Sequence, residues 1–222
     1  MTWIKICGTT NLEDALTAVE AGANALGFVF YEKSPRNIQV ETAREIVKHL
    51  PAGVEKVGVF VNEGEDSISR IADEVGLTAT QFHGDHEDAR VADLVAGRRP
   101  PLKVFVAISM SRRDPRERAI MWNPKVVHAF LLDSGISSRH GGTGESFDWS
   151  ASIPTVETIR SLGNVLVAGG LTPENVGEAI GILKPWGVDV VSGVEARPGK
   201  KDPEKVRAFL NAVRAADNSA QK

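Results

Sequence analysis

Short, nearly unbroken apolar runs alternate along the chain with longer stretches in which apolar residues recur every three or four positions. The runs fall at 3–7, 23–30, 54–61, 78–83, 102–108, 126–133, 165–169 and 188–192. They are rich in Val, Ile and Phe and do not alternate cleanly with polar residues, which is the pattern of strands buried on both faces. Helical spacing lies between them. It is carried by Ala15, Leu16 and Val19, by Val40, Ala43, Ile46, Val47 and Leu50, and by Ile68, Ile71 and Val75. It continues through Ala89, Val91, Ala92, Leu94 and Val95, a polar stretch at 112–122, and the segments 153–162, 173–183 and 203–216. Asn11 is placed to cap the first helix, and Thr172 with Pro173 forms an N-cap and first-turn pair for the seventh. The polar tail after about residue 216 is expected to fray.

Eight strand–helix units in 222 residues leave roughly 28 residues per unit, which suits a single (βα)8 TIM barrel, an α/β fold, over 1–222. The rival is an open doubly wound sheet. No G-x-G-x-x-G turn follows the first strand, which counts against that rival. No Pro/Ser linker or low-complexity segment marks a domain boundary.

Composition narrows the partners. The chain is 42% hydrophobic and 25% charged, with a formal net charge of −3 and a pI near 6.0. That balance calls for no nucleic-acid or anionic-membrane partner. Cys7 is the only cysteine, so no internal disulfide forms and a reducing compartment fits. There is no charged segment leading into a signal-like apolar stretch and no apolar run of membrane length. The expectation is a cytoplasmic protein; monomer and homodimer are both open.

The barrel reading directs attention to the C-terminal ends of the strands, where such barrels carry their active sites. Those positions hold Cys7, the Ser34-Pro35-Arg36 loop, Asn62, His83, Ser109, Asp133, Gly169-Gly170 and Ser192-Gly193. Gly8 lets the backbone turn sharply after Cys7, leaving the thiol at the rim. Nothing there has metal-ligand spacing. A mixed zinc site of Cys7, His83 and Asp133 is poorly matched to the bond lengths zinc demands. The loops after strands seven and eight are a frequent phosphate site in this fold. Gly169, Gly170, Ser192 and Gly193 supply backbone amides that can approach an anion. A phosphorylated small molecule is the expected substrate.

Lys5-Ile6-Cys7-Gly8-Thr9-Thr10 resembles the opening motif of the phosphoribosylanthranilate isomerase family of tryptophan biosynthesis. The resemblance runs on through Ala21-Gly22-Ala23-Asn24-Ala25-Leu26-Gly27-Phe28-Val29-Phe30, Ser34-Pro35-Arg36 and Gln81-Phe82-His83-Gly84. It continues in Leu131-Leu132-Asp133-Ser134, Gly141-Gly142-Thr143-Gly144 and Phe147-Asp148-Trp149, and ends in Ala168-Gly169-Gly170-Leu171 and Ser192-Gly193-Val194-Glu195. It therefore spans nearly the whole chain in the family's order. Thr9, Phe82, Val191 and Asn24 depart from residues common in the family.

The resemblance implies an Amadori rearrangement of N-(5'-phosphoribosyl)anthranilate to the corresponding deoxyribulose phosphate, run by one acid and one base without a cofactor. It implies Cys7 as base and Asp133 as acid. An ordinary thiol is only a few per cent ionised at neutral pH, so a basic neighbour would help; Lys5, two residues back on the strand, is not an obvious one. A proton-donating aspartate needs about 4 kcal/mol of preference for its neutral form, which a dry, closed pocket would supply. Arg36 is expected to hold the anthranilate carboxylate by a bidentate pair while adding little to stability. His83 is a substrate contact or a support behind one. Gly141, Gly142 and Gly144 suggest a lid. The competing readings are another phosphosugar isomerase or epimerase on the same barrel, and a non-catalytic phosphate-binding barrel; a Schiff-base aldolase lacks a lysine ending strand six or seven.

Overall fold

In a computed structural model of the chain, the described residues are 1–83, 90–112, 114–135 and 146–219. The apolar runs become eight strands: β1 (Trp3–Cys7), β2 (Ala25–Phe30), β3 (Glu55–Val61), β4 (Ala79–His83), β5 (Lys103–Ser109), β6 (Val127–Asp133), β7 (Asn164–Val167) and β8 (Gly187–Val190). Each pairs in parallel with its neighbours, and β1 pairs with β8, so the sheet closes and the open-sheet rival is excluded. Around it lie α1 (Leu12–Ala21), α2 (Val40–Val47), α3 (Glu65–Val75), α4 (Arg90–Gly97), α5 (Pro115–Ile120), α6 (Trp149–Arg160), α7 (Val176–Leu183) and α8 (Pro203–Ser219).

Strand alternation divides the core in two. On β1, Ile4 and Ile6 face outward into the layer shared with the helices, where Leu26, Phe28, Phe60 and Phe130 also pack. Trp3, Lys5 and Cys7 face inward. Inside the barrel, small Ala25, Ala79 and Ala129 make room for Phe105, Leu131 and Leu166, the interdigitation of sizes that fills such a barrel. Fully burying each of the large side chains contributes about 1.5–3 kcal/mol. The N-terminal end is closed by aromatic rings: Trp3 stacks on Trp186 at 4.9 Å between centroids and on Phe105 at 5.7 Å. Everything chemical is thereby left to the opposite mouth.

The helix boundaries follow local chemistry. Asn11 caps α1 as expected, accepting from the Asp14 amide, and Gly22 ends the helix at φ 99°. Helix α6 starts at Trp149, earlier than the apolar spacing suggested, because Asp148 accepts from the Ala151 amide. Helix α7 starts at Val176, three residues late. Thr172 still accepts from the Glu174 amide, but Asn175 bonds both the Gly170 carbonyl and the Thr172 amide and holds a turn there. Helix α8 runs to Ser219, past the point where fraying was expected. Asp217 on its last turn accepts from the Thr2 amide at 2.8 Å and the Thr2 hydroxyl at 2.6 Å, tying the two ends of the chain. A feature the periodicity did not predict follows β8: a 3-10 turn at Ser192–Val194 and a small hairpin, β9 (Glu195–Arg197) with β10 (Lys200–Lys201). Strands this short carry no period. The hairpin is held instead by buried Asp14 of α1, which accepts from the Lys201 amide and the Lys200 ammonium, both at 2.7 Å. Among the described residues, no helix is long and apolar enough to cross a membrane.

Asp217→Ala removes both bonds to Thr2, and urea unfolding should register a loss of about 1–3 kcal/mol. An unchanged midpoint would mean the last turn of α8 is not anchored through them.

Candidate active site

One cavity at the C-terminal mouth is lined by Cys7, Arg36, His83 and Asp133, together with Gln81, Asp189 and Val191 and apolar residues of β2 and β3. Four side chains singled out from the sequence therefore meet in one place, contributed by β1, the loop after β2, β4 and β6. Each is positioned locally. Gly8, at φ 75°, turns the chain immediately after Cys7, and both Gly8 and Thr9 donate to the Gly27 carbonyl. Gly27 on β2 makes room for the thiol: a Cβ there would lie 2.5 Å from Cys7 Sγ. Arg36 is presented by a turn in which Asn37 donates to the Ser34 carbonyl and the Arg36 amide donates to Ser34 Oγ. Asp133 ends β6, and its Oδ1 accepts from the Gly135 amide at 2.8 Å.

The glycine turns border this mouth. Gly169 and Gly170 have φ of 74° and 68°, and among the described residues their amides find no acceptor. A Cβ on Gly169 would come within 2.4 Å of the Ser134 amide nitrogen, next to Asp133. One on Gly193 would meet the Leu171 carbonyl at 1.9 Å, so the loops after β7 and β8 touch backbone to backbone. The unpaired amides of the Gly169-Gly170 turn thus abut the loop after β8, and turn amides of this kind are able to take up an anion.

Beneath the mouth is a layer of buried charge that the sequence did not reveal. Lys5 is fully buried and its Nζ lies 2.9 Å from Asp189 Oδ1. Lys5 and Cys7 share the inward face of β1, so the earlier discounting of Lys5 is corrected: an i, i+2 spacing on a strand makes the two side chains same-face neighbours. Burial acts most strongly on Lys5 and would neutralise it, but Asp189 and Cys7 outweigh it and hold its pKa above the ordinary lysine value. For Cys7 the balance runs the other way. Burial pushes the thiol up, Lys5 opposes, Asp189 adds to the rise, and the net pKa lies above the ordinary cysteine value.

A second buried cluster sets Arg36. Its Nε and Nη2 bond Glu195 Oε1 and Oε2 at 3.1 and 2.7 Å. One edge of the guanidinium is occupied, and the Nη1/Nη2 edge has no bidentate partner among the described residues. Burial is the strongest influence on Glu195 and works against its charge, yet Arg36, Lys201 and the Gly199 amide keep its pKa below the ordinary carboxylate range. Lys201, 1% exposed, donates to the Cys7 carbonyl at 2.6 Å and the Val191 carbonyl at 3.1 Å, and lies 3.5 Å from Glu195. Arg36 is thus no free rim side chain. Removing it takes from a buried carboxylate its two closest side-chain bonds, leaving only Lys201 and the Gly199 amide, and the expectation that it adds little to stability is corrected. Gln81 was quoted only as part of a motif. It is 2% exposed, lines the cavity, and its Oε1 has no partner.

No group of three His, Cys, Asp or Glu that could hold a metal occurs among the described residues. Gly84 and the suggested lid glycines Gly141, Gly142 and Gly144 lie outside the described residues.

A closed (βα)8 barrel with a thiol, a carboxyl and a half-engaged arginine around one cavity, bordered by glycine turns after its seventh and eighth strands, is of the class of barrels that act on small molecules at the C-terminal mouth. Comparison with known proteins gives the family. The sequence profile described as N-(5'phosphoribosyl)anthranilate (PRA) isomerase matches residues 4–212. The N-(5'-phosphoribosyl)anthranilate isomerase of Citrifermentans bemidjiense is 48% identical over 210 residues, covering 95% of this chain and 96% of the relative. That of Pseudomonas aeruginosa is 48% identical over 213 residues, covering 96% and 95%. The crystal structure of phosphoribosyl anthranilate isomerase from Thermotoga maritima superposes with a TM-score of 0.86 at 42% identity, covering 97% of this chain and all of that one. A structure of phosphoribosyl anthranilate isomerase in complex with reduced 1-(o-carboxyphenylamino)-1-deoxyribulose 5-phosphate gives 0.83 at 42% identity, covering 97% and 100%. The chain belongs to the N-(5'-phosphoribosyl)anthranilate isomerase family.

Gly27→Ala places a methyl group against Sγ. It should destabilise the fold by about 1–3 kcal/mol through overpacking and change the rate at which iodoacetamide alkylates Cys7. With only one cysteine in the chain, alkylation reads that site alone; an unchanged rate and stability would mean the thiol does not rest on Gly27.

Proposed function

We infer that this protein is an isomerase of tryptophan biosynthesis that converts N-(5'-phosphoribosyl)anthranilate to 1-(2-carboxyphenylamino)-1-deoxyribulose 5-phosphate. The observation that carries this reading is the convergence of Cys7, Asp133 and Arg36 on one cavity beside the glycine loops, in a chain whose relatives carry that name over their full length.

The reaction divides among the residues as follows. The phosphate sits on the amides of Gly169 and Gly170 and the turn at Ser192 and Gly193. The anthranilate carboxylate takes the open edge of Arg36, whose other edge Glu195 holds in place. Between these anchors the sugar lies across the mouth. Asp133 donates a proton to the furanose oxygen, the ring carbon–oxygen bond breaks, and the nitrogen lone pair forms a Schiff base with the first sugar carbon. Cys7 thiolate takes the proton from the second sugar carbon, giving an enolamine. Moving a proton from the enol oxygen to the first carbon yields the ketone. Acid and base exchange protons with a sugar that changes no oxidation state overall, so no redox cofactor or metal is required. His83 lines the same cavity and contacts the bound substrate. The chain acts as a single barrel domain in the cytoplasm on a small phosphorylated molecule.

This reading is preferred over another phosphosugar isomerase because of Arg36: a substrate without a carboxylate gives its open edge nothing to bind. Arg36→Ala should weaken a carboxylate-bearing product analogue by about 1.5–3 kcal/mol and, by removing two charge-assisted bonds to buried Glu195, lower stability by about 1.5–3 kcal/mol. If analogue affinity is unchanged in the folded variant, the carboxylate does not bind there.

Cys7→Ser and Asp133→Asn should each lower turnover at least about 100-fold, read by the loss of substrate fluorescence, while product-analogue affinity changes far less. Because the Cys7 pKa is raised, kcat/KM should climb through a pH above the ordinary cysteine value. Near-wild-type turnover in either folded variant would remove the two-residue mechanism.

A further inference from the structure

Packing does not account for the Lys5–Asp189 pair, of which Asp189 also lines the cavity. It occupies the barrel interior one step below Cys7, where apolar Val57 and Leu166 fill inward positions on other strands. A buried ion pair is commonly neutral or unfavourable against apolar residues of similar volume, so packing alone gives no reason to keep one. The strand register sets the pair directly across the seam that closes the barrel, with Lys5 opposite Asp189. A lysine ammonium has three donors. Among the described residues the one oxygen within hydrogen-bond distance of Lys5 Nζ is Asp189 Oδ1 at 2.9 Å. Its spare donors lie on the inward face of β1, where the next side chain toward the mouth is Cys7. All three side chains are 4% exposed or less.

We propose that Lys5 is a positioning residue for Cys7: its ammonium, anchored by Asp189 across the closing seam, stabilises the Cys7 thiolate. The inference rests on the reading of Cys7 as the base. The two members of the pair act on the thiolate with opposite sign. Lys5 offers a cation and donors, while Asp189 fixes Lys5 but repels the thiolate. The other charged or titratable groups around Cys7 are Lys201 on β10, which bonds the Cys7 carbonyl, with Glu195 behind it, and Tyr31, Arg36, His83 and Asp133 around the mouth. From β2 the thiol meets only uncharged Gly27. Lys5 supplies the cation on the thiol's own strand, and the influences on Cys7 agree in sign, with Lys5 favouring the thiolate and Asp189 opposing it.

Because Cys7 is the only cysteine, ultraviolet thiolate absorbance titrates this one group in the intact protein. Lys5→Met is expected to raise the thiolate midpoint by at least about one pH unit, a tenfold loss of thiolate at a given pH. Asp189→Asn keeps an acceptor for Lys5 but removes the negative charge, and is expected to lower the midpoint. The double variant Lys5→Met/Asp189→Asn buries no unpaired charge, so it tests the proposal even if Lys5→Met does not fold; its midpoint is expected above that of Asp189→Asn, and a midpoint equal to or below it overturns the proposal. Opposite shifts in the two single variants support the proposal. Midpoints that do not move, or that move the same way, overturn it, because a merely structural pair has no signed effect on the thiol. The pH dependence of kcat/KM separates this from the assignment of the base. If the midpoints shift with opposite signs but the ascending limb of kcat/KM stays in place, Lys5 governs the thiol as proposed and Cys7 is not the base. If the limb follows the midpoints, Lys5→Met loses about tenfold in turnover near neutrality and recovers as pH rises.

Discussion

The first strand must lie against the last for the sheet to close, and most of what is chemical in this protein is built on that seam. The β1–β8 pairing brings Trp3 beside Gly187, Lys5 beside Asp189 and Ile6 beside Val190. A Cβ on Gly187 would approach the Trp3 carbonyl to 2.7 Å, so the closest part of the seam tolerates only glycine. Just above, Lys201 clamps the ends of both strands by donating to the carbonyls of Cys7 and Val191. Those two residues lead directly into the Gly8 turn and the Ser192-Gly193 turn. Closure therefore fixes the thiol and the Ser192-Gly193 turn in a single stroke.

Charge inside the barrel is sorted by depth. The closed end is aromatic. The middle carries Lys5 and Asp189 as a compensated pair, and the hairpin side carries Lys201, Glu195 and Arg36 as a second group. In a medium of low effective dielectric, each of these groups is costly alone and tolerable only with its partner. That dependence makes the site rigid, because no member can swing away without stranding another. The same rigidity leaves Arg36 with one occupied and one open edge, an orientation suited to a planar carboxylate.

The hairpin after β8 shows how a small insertion organises a site from the outside. It is anchored by Asp14 at the start of α1, which also bonds the Asn11 side chain at the N-cap. The cap of the first helix, the last lysine of the hairpin and the strand that ends in Cys7 therefore form one connected structure. Thr10 extends it by donating to the Gly199 carbonyl at 2.5 Å.

The barrel, its eight strands and the four side chains at its mouth were legible in the sequence, for a physical reason. Parallel strands buried on both faces must be short and apolar, and residues at their C-terminal ends are placed by the fold itself. Cys7, His83 and Asp133 each end a strand, so their convergence follows once the sheet is known to close. Arg36 was legible through its turn, since Ser34 and Pro35 mark it. What the sequence could not decide was which buried charges find each other. Lys5 and Asp189 are 184 positions apart, and Arg36 and Glu195 are 159 apart. No local period links such pairs, and a lone lysine on a strand looks like any solvated one. Only closure of the ring made Asp189 the neighbour of Lys5. Only the hairpin, too short to leave a pattern, carried Glu195 and Lys201 inward. The residues that occupy the mouth were set by local sequence; their electrostatic environment was set by contacts between opposite ends of the chain, which exist only in the folded barrel.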